Sequence, residues 1–251
     1  MSINITNEDN MELMARYPEN YFDLAIVDPP YGIGESSKNF KSRNTPVKQK
    51  NEKILRCSNP IYVIKNWDFK PASVNYFNKL FSVSKNQIVY GANYFESIMK
   101  PCNVPRRKDF ENFLKEHPFH FIIWDKVNGG NDFNDCELIW TSFPVKSYIL
   151  KYMWAGMMQG VDFKGTMQGD KSKNEKRFHP TQKPVALYKW LLDKYAKPSD
   201  KILDTHLGSG SIAISCHDYD FDLTACELDK EYFDKAMERI KNHQKQQLLF
   251  Q

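Results

Sequence analysis

Several things are missing from this sequence, and each absence excludes something. The five cysteines, Cys57, Cys102, Cys136, Cys216 and Cys226, are odd in number and form no Cys-x-x-Cys pair. Neither a disulfide framework nor a zinc site is therefore indicated, and no metal is expected. No uninterrupted apolar run approaches about 18 residues, and no basic-then-apolar leader opens the chain. A cytoplasmic protein without a membrane partner is the expectation. There is no internal repeat and no large excess of charge; a formal net charge of +4 permits a polyanionic partner without demanding one. What is present, 251 residues with 41% hydrophobic and 26% charged, suffices for one well-buried core plus an appendage.

The chain is organised around Asp23 to Tyr31, an apolar run that ends on an acid, two prolines and an aromatic. Leu24 to Val27 is short and β-branched at its end, as a strand buried on both faces of a parallel sheet would be. Pro29 and Pro30 supply carbonyls but no N–H groups, so the turn offers acceptors only, the Asp28 carboxylate and the Pro29 carbonyl. Paired acceptors suit an amino group. Ligands of open α/β sheets sit beyond the carboxyl ends of strands, where these residues lie, and Tyr31 adds a flat face on which a base could stack. The alternative is a rigid turn that only terminates a core strand.

Elsewhere, Ile3 and Ile5 mark a short strand, Asn7 to Asn10 open a helix, and Pro18 closes it. Residues 32–60 form a basic polar segment beside the acceptor turn, with Lys38, Lys41, Arg43 and Arg56 placed to meet phosphates. A solvated insertion is the alternative for such a charge run. Pro71 fits a first helical position before Val74, Phe77, Leu80 and Phe81, and Gln87 to Tyr90 follows as a strand. A second basic patch carries Arg106 and Arg107; Phe121 to Trp124 is a strand, and Leu138 to Trp140 continues the sheet as an antiparallel edge. Residues 144–178 lack clear periodicity, suiting either a recognition insertion or a structural β-extension. Then Pro184 begins a helix, Lys201 to Asp204 is a strand, Leu207 to Ser211 a glycine-rich turn, and Leu223 to Cys226 a strand tipped by Glu227. Asp229 caps the last helix. Strands alternating with helices over short links mean a doubly wound α/β sheet.

Gly208 and Gly210 allow a tight strand-to-helix turn, and the acid at the end of the next strand is placed to accept from ribose hydroxyls. Ala213 stands where a dinucleotide motif would have its third glycine, so an adenosyl ligand without pyrophosphate fits better. Packing alone is the alternative for such a turn.

Asp28-Pro-Pro-Tyr31, followed far downstream by Asp204 to Ser211, resembles the amino-group DNA methyltransferases that use S-adenosylmethionine. Catalytic tetrapeptide first and cofactor loop last resembles the permuted beta class. His179-Pro-Thr-Gln-Lys-Pro184 resembles the family segment leading into a helix over the methionine part of the cofactor, and Asn7 to Asn10 its short acidic motif near the adenine ring. The chain departs from the family at Thr205 and His206, where proline and an aromatic are usual, and at Glu8, where glycine is usual.

The resemblance implies a mainly parallel, seven-stranded Rossmann-like sheet in a single domain, 1–251. Residues 1–31 and 61–143 would form its catalytic half, 32–60 a basic loop, 144–178 a small target-recognition insertion and 179–251 the cofactor half. Catalysis would rest on Asp28, Pro29, Pro30 and Tyr31. S-adenosylmethionine would be held by Asp9, Asn10, Asp28, Thr181, Lys183 and Pro184, by Asp204, His206, Leu207, Gly208, Ser209 and Gly210, and by Glu227 and Leu228. The implied reaction is methylation of adenine N6 in double-stranded DNA, with the base flipped out of the duplex. N4-cytosine methylation, an RNA or protein-amide acceptor, and a non-catalytic DNA-binding protein of this fold are the alternatives. A homodimer and a partner restriction endonuclease are both compatible with the sequence.

Overall fold

The computed structural model describes residues 1–35, 47–48, 54–55, 65–95, 121–127, 134–144, 147–155, 158–160 and 174–248. Lys38, Lys41, Arg43, Arg56, Arg106 and Arg107, the residues expected to meet phosphates, lie outside them.

In chain order the elements are β1 (Ile3–Thr6), α1 (Asn10–Ala15), β2 (Phe22–Val27), β3 (Val47–Lys48), β4 (Ile54–Leu55), α2 (Val74–Val83), β5 (Ser84–Tyr90), β6 (Phe121–Asp125), β7 (Cys136–Thr141) and β8 (Tyr148–Lys151). They continue with β9 (Met153–Ala155), β10 (Met158–Gly160), α3 (Val185–Tyr195), β11 (Lys201–Asp204), α4 (Ser211–Asp218), β12 (Asp222–Cys226) and α5 (Lys230–Leu248). The main sheet has eight strands in the order β1-β12-β11-β2-β5-β7-β6-β8. Every pairing is parallel except those of β7, which runs antiparallel to both β5 and β6.

Burial explains this order. The inner strand β2 buries Phe22, Leu24, Ala25, Ile26 and Val27 completely, as a run covered by helices on both faces must. One face carries Leu13 and Met14 of α1 with Phe77 and Leu80 of α2. The other carries Leu187 and Leu191 of α3, Ile212 of α4 and Ile240 of α5.

The structure corrects three expectations. The Leu138–Trp140 segment is antiparallel but not an edge: Leu138 and Ile139 are fully buried, and β7 lies between β5 and β6. The sheet has eight strands rather than seven because Tyr148–Lys151, inside the segment without clear periodicity, pairs with β6 as the real edge. Pro71 is not a helical position; it pairs with Tyr31 in an isolated bridge, and Ser73 caps α2 by accepting from Tyr76 N at 3.2 Å.

The connection from β2 runs through α2 to β5 on one side, and that from β11 runs through α4 to β12 on the other. Neighbouring strands whose connections leave in opposite directions open a crevice beyond their carboxyl ends. Here that crevice lies between the tips of β2 and β11, 177 positions apart when Val27 is set against Asp204.

Candidate active site at the switch point

Asp28 follows directly on β2. The Tyr31 hydroxyl donates to its Oδ1 and Lys183 Nζ donates to its Oδ2 at 2.8 Å. Lys183 is only 5% exposed and also lies 3.3 Å from Glu137 Oε2, while Lys126 Nζ holds Glu137 Oε1 at 2.5 Å. The result is a row of alternating charges, Asp28, Lys183, Glu137 and Lys126. Burial raises the Asp28 carboxyl above its ordinary range, against the pull of Lys183. Burial alone would lower Lys183, but Asp28 and Glu137 outweigh it and hold the ammonium raised. At Glu137 burial is likewise outweighed, by Lys126 and Lys183, and the carboxyl sits at about 2.

The turn itself is held by a residue that motif reasoning missed. Asp68, 2% exposed, accepts from Tyr31 N and Gly32 N at Oδ1 and from Glu35 N at Oδ2, each at 2.8 Å. A buried carboxylate that satisfies three backbone N–H groups fixes the path of the chain after the prolines. Nothing in its neighbourhood of the sequence marks it apart from Asn66-Trp67-Asp68 being polar and aromatic. The Tyr31 ring stacks on Tyr94 at 5.0 Å, meets Phe95 edge-on and has Lys183 Nζ 5.6 Å from its centroid.

On the other side, His206 N donates to Asp204 Oδ1 at 3.0 Å, Leu207 N to Cys226 O at 3.0 Å, and Gly208 N to Glu227 Oε2 at 2.8 Å. Asp229 N takes Glu227 Oε1 at 2.9 Å, and Asn7 Nδ2 ties β1 to this tip through Glu227 O at 2.7 Å. Burial pushes the Asp204 carboxyl to about 8 and the His206 ring down to about 3. The neutral ring has Asn10 Nδ2 at 3.0 Å from Nε2 and Thr205 Oγ1 at 2.9 Å from Nδ1, so the network places the proton on Nδ1. His206 is thus a satisfied loop histidine.

The 179–184 segment is strapped to the glycine turn. Ser211 Oγ donates to Lys183 O at 2.7 Å, and Arg239 reaches Ser209 O at 2.8 Å and Glu175 Oε2 at 2.7 Å. Glu175 Oε1 in turn accepts from Val185 N at 2.9 Å, supplying the cap that Pro184 cannot.

These walls enclose a cleft of about 610 Å³. Of the residues expected at the site, Asn10, Asp28, Pro30, Thr181, Lys183, His206, Leu207, Gly208, Ser209, Glu227 and Leu228 line it. Pro29, Tyr31, Pro184, Asp204 and Gly210 are not among its lining residues, and Asp9 spends its carboxylate capping α1 through Met11 N at 2.7 Å. Glu8, at the position where the chain departs from the family, does line it. So do Trp67, His179 and Tyr232, which form an aromatic row with Trp67–His179 centroids 5.4 Å and His179–Tyr232 centroids 4.2 Å apart. Tyr232 falls on the apolar stripe of α5, and periodicity alone assigns it to the core.

Comparison with known proteins agrees with this geometry. A family model described as DNA methylase, covering N6- and N4-type methyltransferases, matches residues 22–238. Type II methyltransferase M.HpaI of Haemophilus parainfluenzae is 25% identical over 241 residues, covering 88% of this chain and 69% of that one. Type II methyltransferase M.BglII of Bacillus subtilis is 24% identical over 261 residues, with 92% and 67% covered. Among solved structures, the PvuII DNA methyltransferase, described as cytosine-N4-specific, superposes with a TM-score of 0.53 at 12% identity over 97% of this chain and 91% of that one, a likeness of fold. With that match running from the first residue of β2 into α5, through both walls of the cleft, the chain belongs to the DNA methylase family of N6- and N4-type methyltransferases.

Proposed function

We propose that this chain transfers a methyl group from S-adenosylmethionine to the N6 amino group of adenine in double-stranded DNA. The observation that carries the reading is the opening of Asp28 and of the Gly208–Glu227 turn onto one cleft. The lining residues fit the methyl donor. The volume is that of a small-molecule site, Glu227 presents a carboxylate for ribose hydroxyls, and Leu228, 67% exposed beside it, offers an apolar surface for a base. When bound, S-adenosylmethionine supplies an electrophilic methyl on a sulfonium.

The chain's own residues do the rest. An exocyclic amino group is a poor nucleophile because its lone pair is delocalised into the ring. Asp28 and the Pro29 carbonyl, accepting its two hydrogens, favour a pyramidal nitrogen whose lone pair points at the methyl. The nitrogen gains the methyl and gives up one proton, which the Asp28 carboxylate can accept. The target base must leave the duplex to reach this depth. Adenine is preferred because the motif opens with Asp28, where enzymes of the resembled family acting on cytosine N4 more often carry serine.

The test is transfer of labelled methyl to unmethylated duplex DNA by the wild type and by Asp28→Ala, with the modified nucleoside identified. N6-methyladenine made by the wild type and reduced by about 10²-fold or more in the variant is expected. N4-methylcytosine as the product would overturn the choice of base, and undiminished transfer by Asp28→Ala the role of Asp28.

A further inference from the structure

Both oxygens of Asp28 are already engaged, by the Tyr31 hydroxyl and by Lys183 Nζ. Each oxygen can accept a second hydrogen bond, but a carboxylate shared with a buried ammonium is a weaker acceptor, so an amino group that is to use Asp28 competes with these donors for it. The ammonium is the one with somewhere to go: a buried cation pushed off its partner needs another at once. Glu137, on β7, lies on the far side of Lys183. Its Oε1 is anchored by Lys126, whereas its Oε2 is buried and, among the described residues, has only the ion pair with Lys183 Nζ at 3.3 Å. Between the two carboxylates Nζ also stands over the rings of Tyr31 and Tyr90, whose centroids lie 5.6 and 5.3 Å away, so the charge sits in attractive surroundings.

We propose that Glu137 is a positioning residue for methyl transfer: it receives the Lys183 ammonium from Asp28 when the target amino group arrives. Asp28 is then freed as an acceptor without a lone cation being left in the interior. A carboxylate anchored at one oxygen, with the other held only by the ammonium it is to receive, is what such a role requires. The inference rests on the reading of Asp28 as the acceptor of the amino group.

The experiment uses the full chain and four variants, Glu137→Gln, Glu137→Asp, Lys183→Met and the double Glu137→Gln/Lys183→Met. Single-turnover transfer to duplex DNA is measured at saturating S-adenosylmethionine, alongside cofactor affinity by titration. Glu137→Gln is expected to slow transfer by about tenfold to a hundredfold with cofactor affinity unchanged. Glu137→Asp, which keeps the charge but shortens the reach, should fall in between, and it carries the test if the Gln variant does not fold. Two residues acting as one unit lose little more when both are changed, so the double variant should be no slower than the slower single one. A Glu137→Gln or Glu137→Asp rate within about twofold of wild type, or losses that multiply in the double variant, would overturn the proposal. Asp28→Ala separates the two readings: its retaining full transfer removes the acceptor role itself, whereas its losing transfer while Glu137→Gln does not removes only the inference about Glu137.

Discussion

The two walls of the cleft are built from different materials. On the cofactor side the two carboxylates at the strand tips are satisfied by backbone: Glu227 takes the N–H groups of Gly208 and Asp229, and Asp204 that of His206. Its buried histidines, His179 and His206, are both pushed to about 3 by burial and stay neutral. On the target side Asp28, Lys183, Glu137 and Lys126 satisfy one another by charge. Backbone donors are fixed by the fold and do not rearrange, which suits a wall that must hold one ligand in one pose. A row of counter-ions can exchange partners, which suits a wall that must let a substrate in.

The comparison is broken hardest at Asp68, the place on the target side where a carboxylate is satisfied by backbone instead. Asp68→Ala would leave the N–H groups of Tyr31, Gly32 and Glu35 without their acceptor. The three groups are only partly buried, so each falls toward the low end of the about 1–3 kcal/mol for a donor left unmet, and a loss on the order of 3–5 kcal/mol is expected in denaturant unfolding, with transfer falling as the Asp28 turn loosens. A loss under about 1 kcal/mol would mean that the turn does not depend on this clasp.

Acidity sharpens the contrast, because the two walls respond at opposite ends of the scale. The Asp204 carboxyl is pushed from 3.8 to about 8 by burial. An acid raised on folding favours the folded state while protonated, so its contribution is complete below about pH 4 and is lost as pH rises through 8. Asp204→Asn, neutral throughout and able to keep the His206 N–H, should match the wild type near pH 4, exceed it increasingly towards pH 8, and level off beyond. Glu137 runs the other way: lowered from 4.5 to about 2, its contribution is present above pH 4.5 and lost as pH falls through 2. Unfolding followed against pH in the two proteins checks the sign; parallel profiles would show Asp204 ionised in the fold.

Much of this was legible in the sequence, and what was not has physical reasons. Strands buried on both faces announce themselves as short apolar runs, so β2, β5, β11 and β12 could be placed, and with them the two loops that carry the motifs. The exposed edge β8 could not, since Tyr148 to Lys151 is half-buried and alternates over only four residues. Motif residues that speak through backbone geometry were found, as at Gly208 and Glu227. Those that speak through long-range partners were not: Asp68 acts 37 positions from Tyr31, and Glu137 meets Lys183 across the sheet. A lone acid carries no periodicity and no local mark, so only the fold reveals what it holds.

The smallest expected effect separates the two glycines of the cofactor turn, at φ +54 for Gly208 and +75 for Gly210. Both backbones sit in the left-handed region, where any side chain costs about 1–2 kcal/mol. Their surroundings differ. A Cβ on Gly210 would stand 3.0 Å from Ile240 Cδ1 and 3.4 Å from Ala236 Cβ, inside the packing of α5, so Gly210→Ala adds crowding to strain and should lower stability by about 2 kcal/mol or more. A Cβ on Gly208 meets nothing nearer than His206 O at 3.8 Å, and Gly208 lines the cleft. Gly208→Ala should therefore cost only about 1 kcal/mol of stability, while its methyl, 3.9 Å from the cleft-lining His179, narrows the cleft and should weaken cofactor binding more than Gly210→Ala does. Thermal unfolding and cofactor titration of the two variants read the two effects separately. If both lost affinity in proportion to stability, the turn would be serving packing alone, and the cofactor wall would owe its shape to α5 rather than to the ligand it holds.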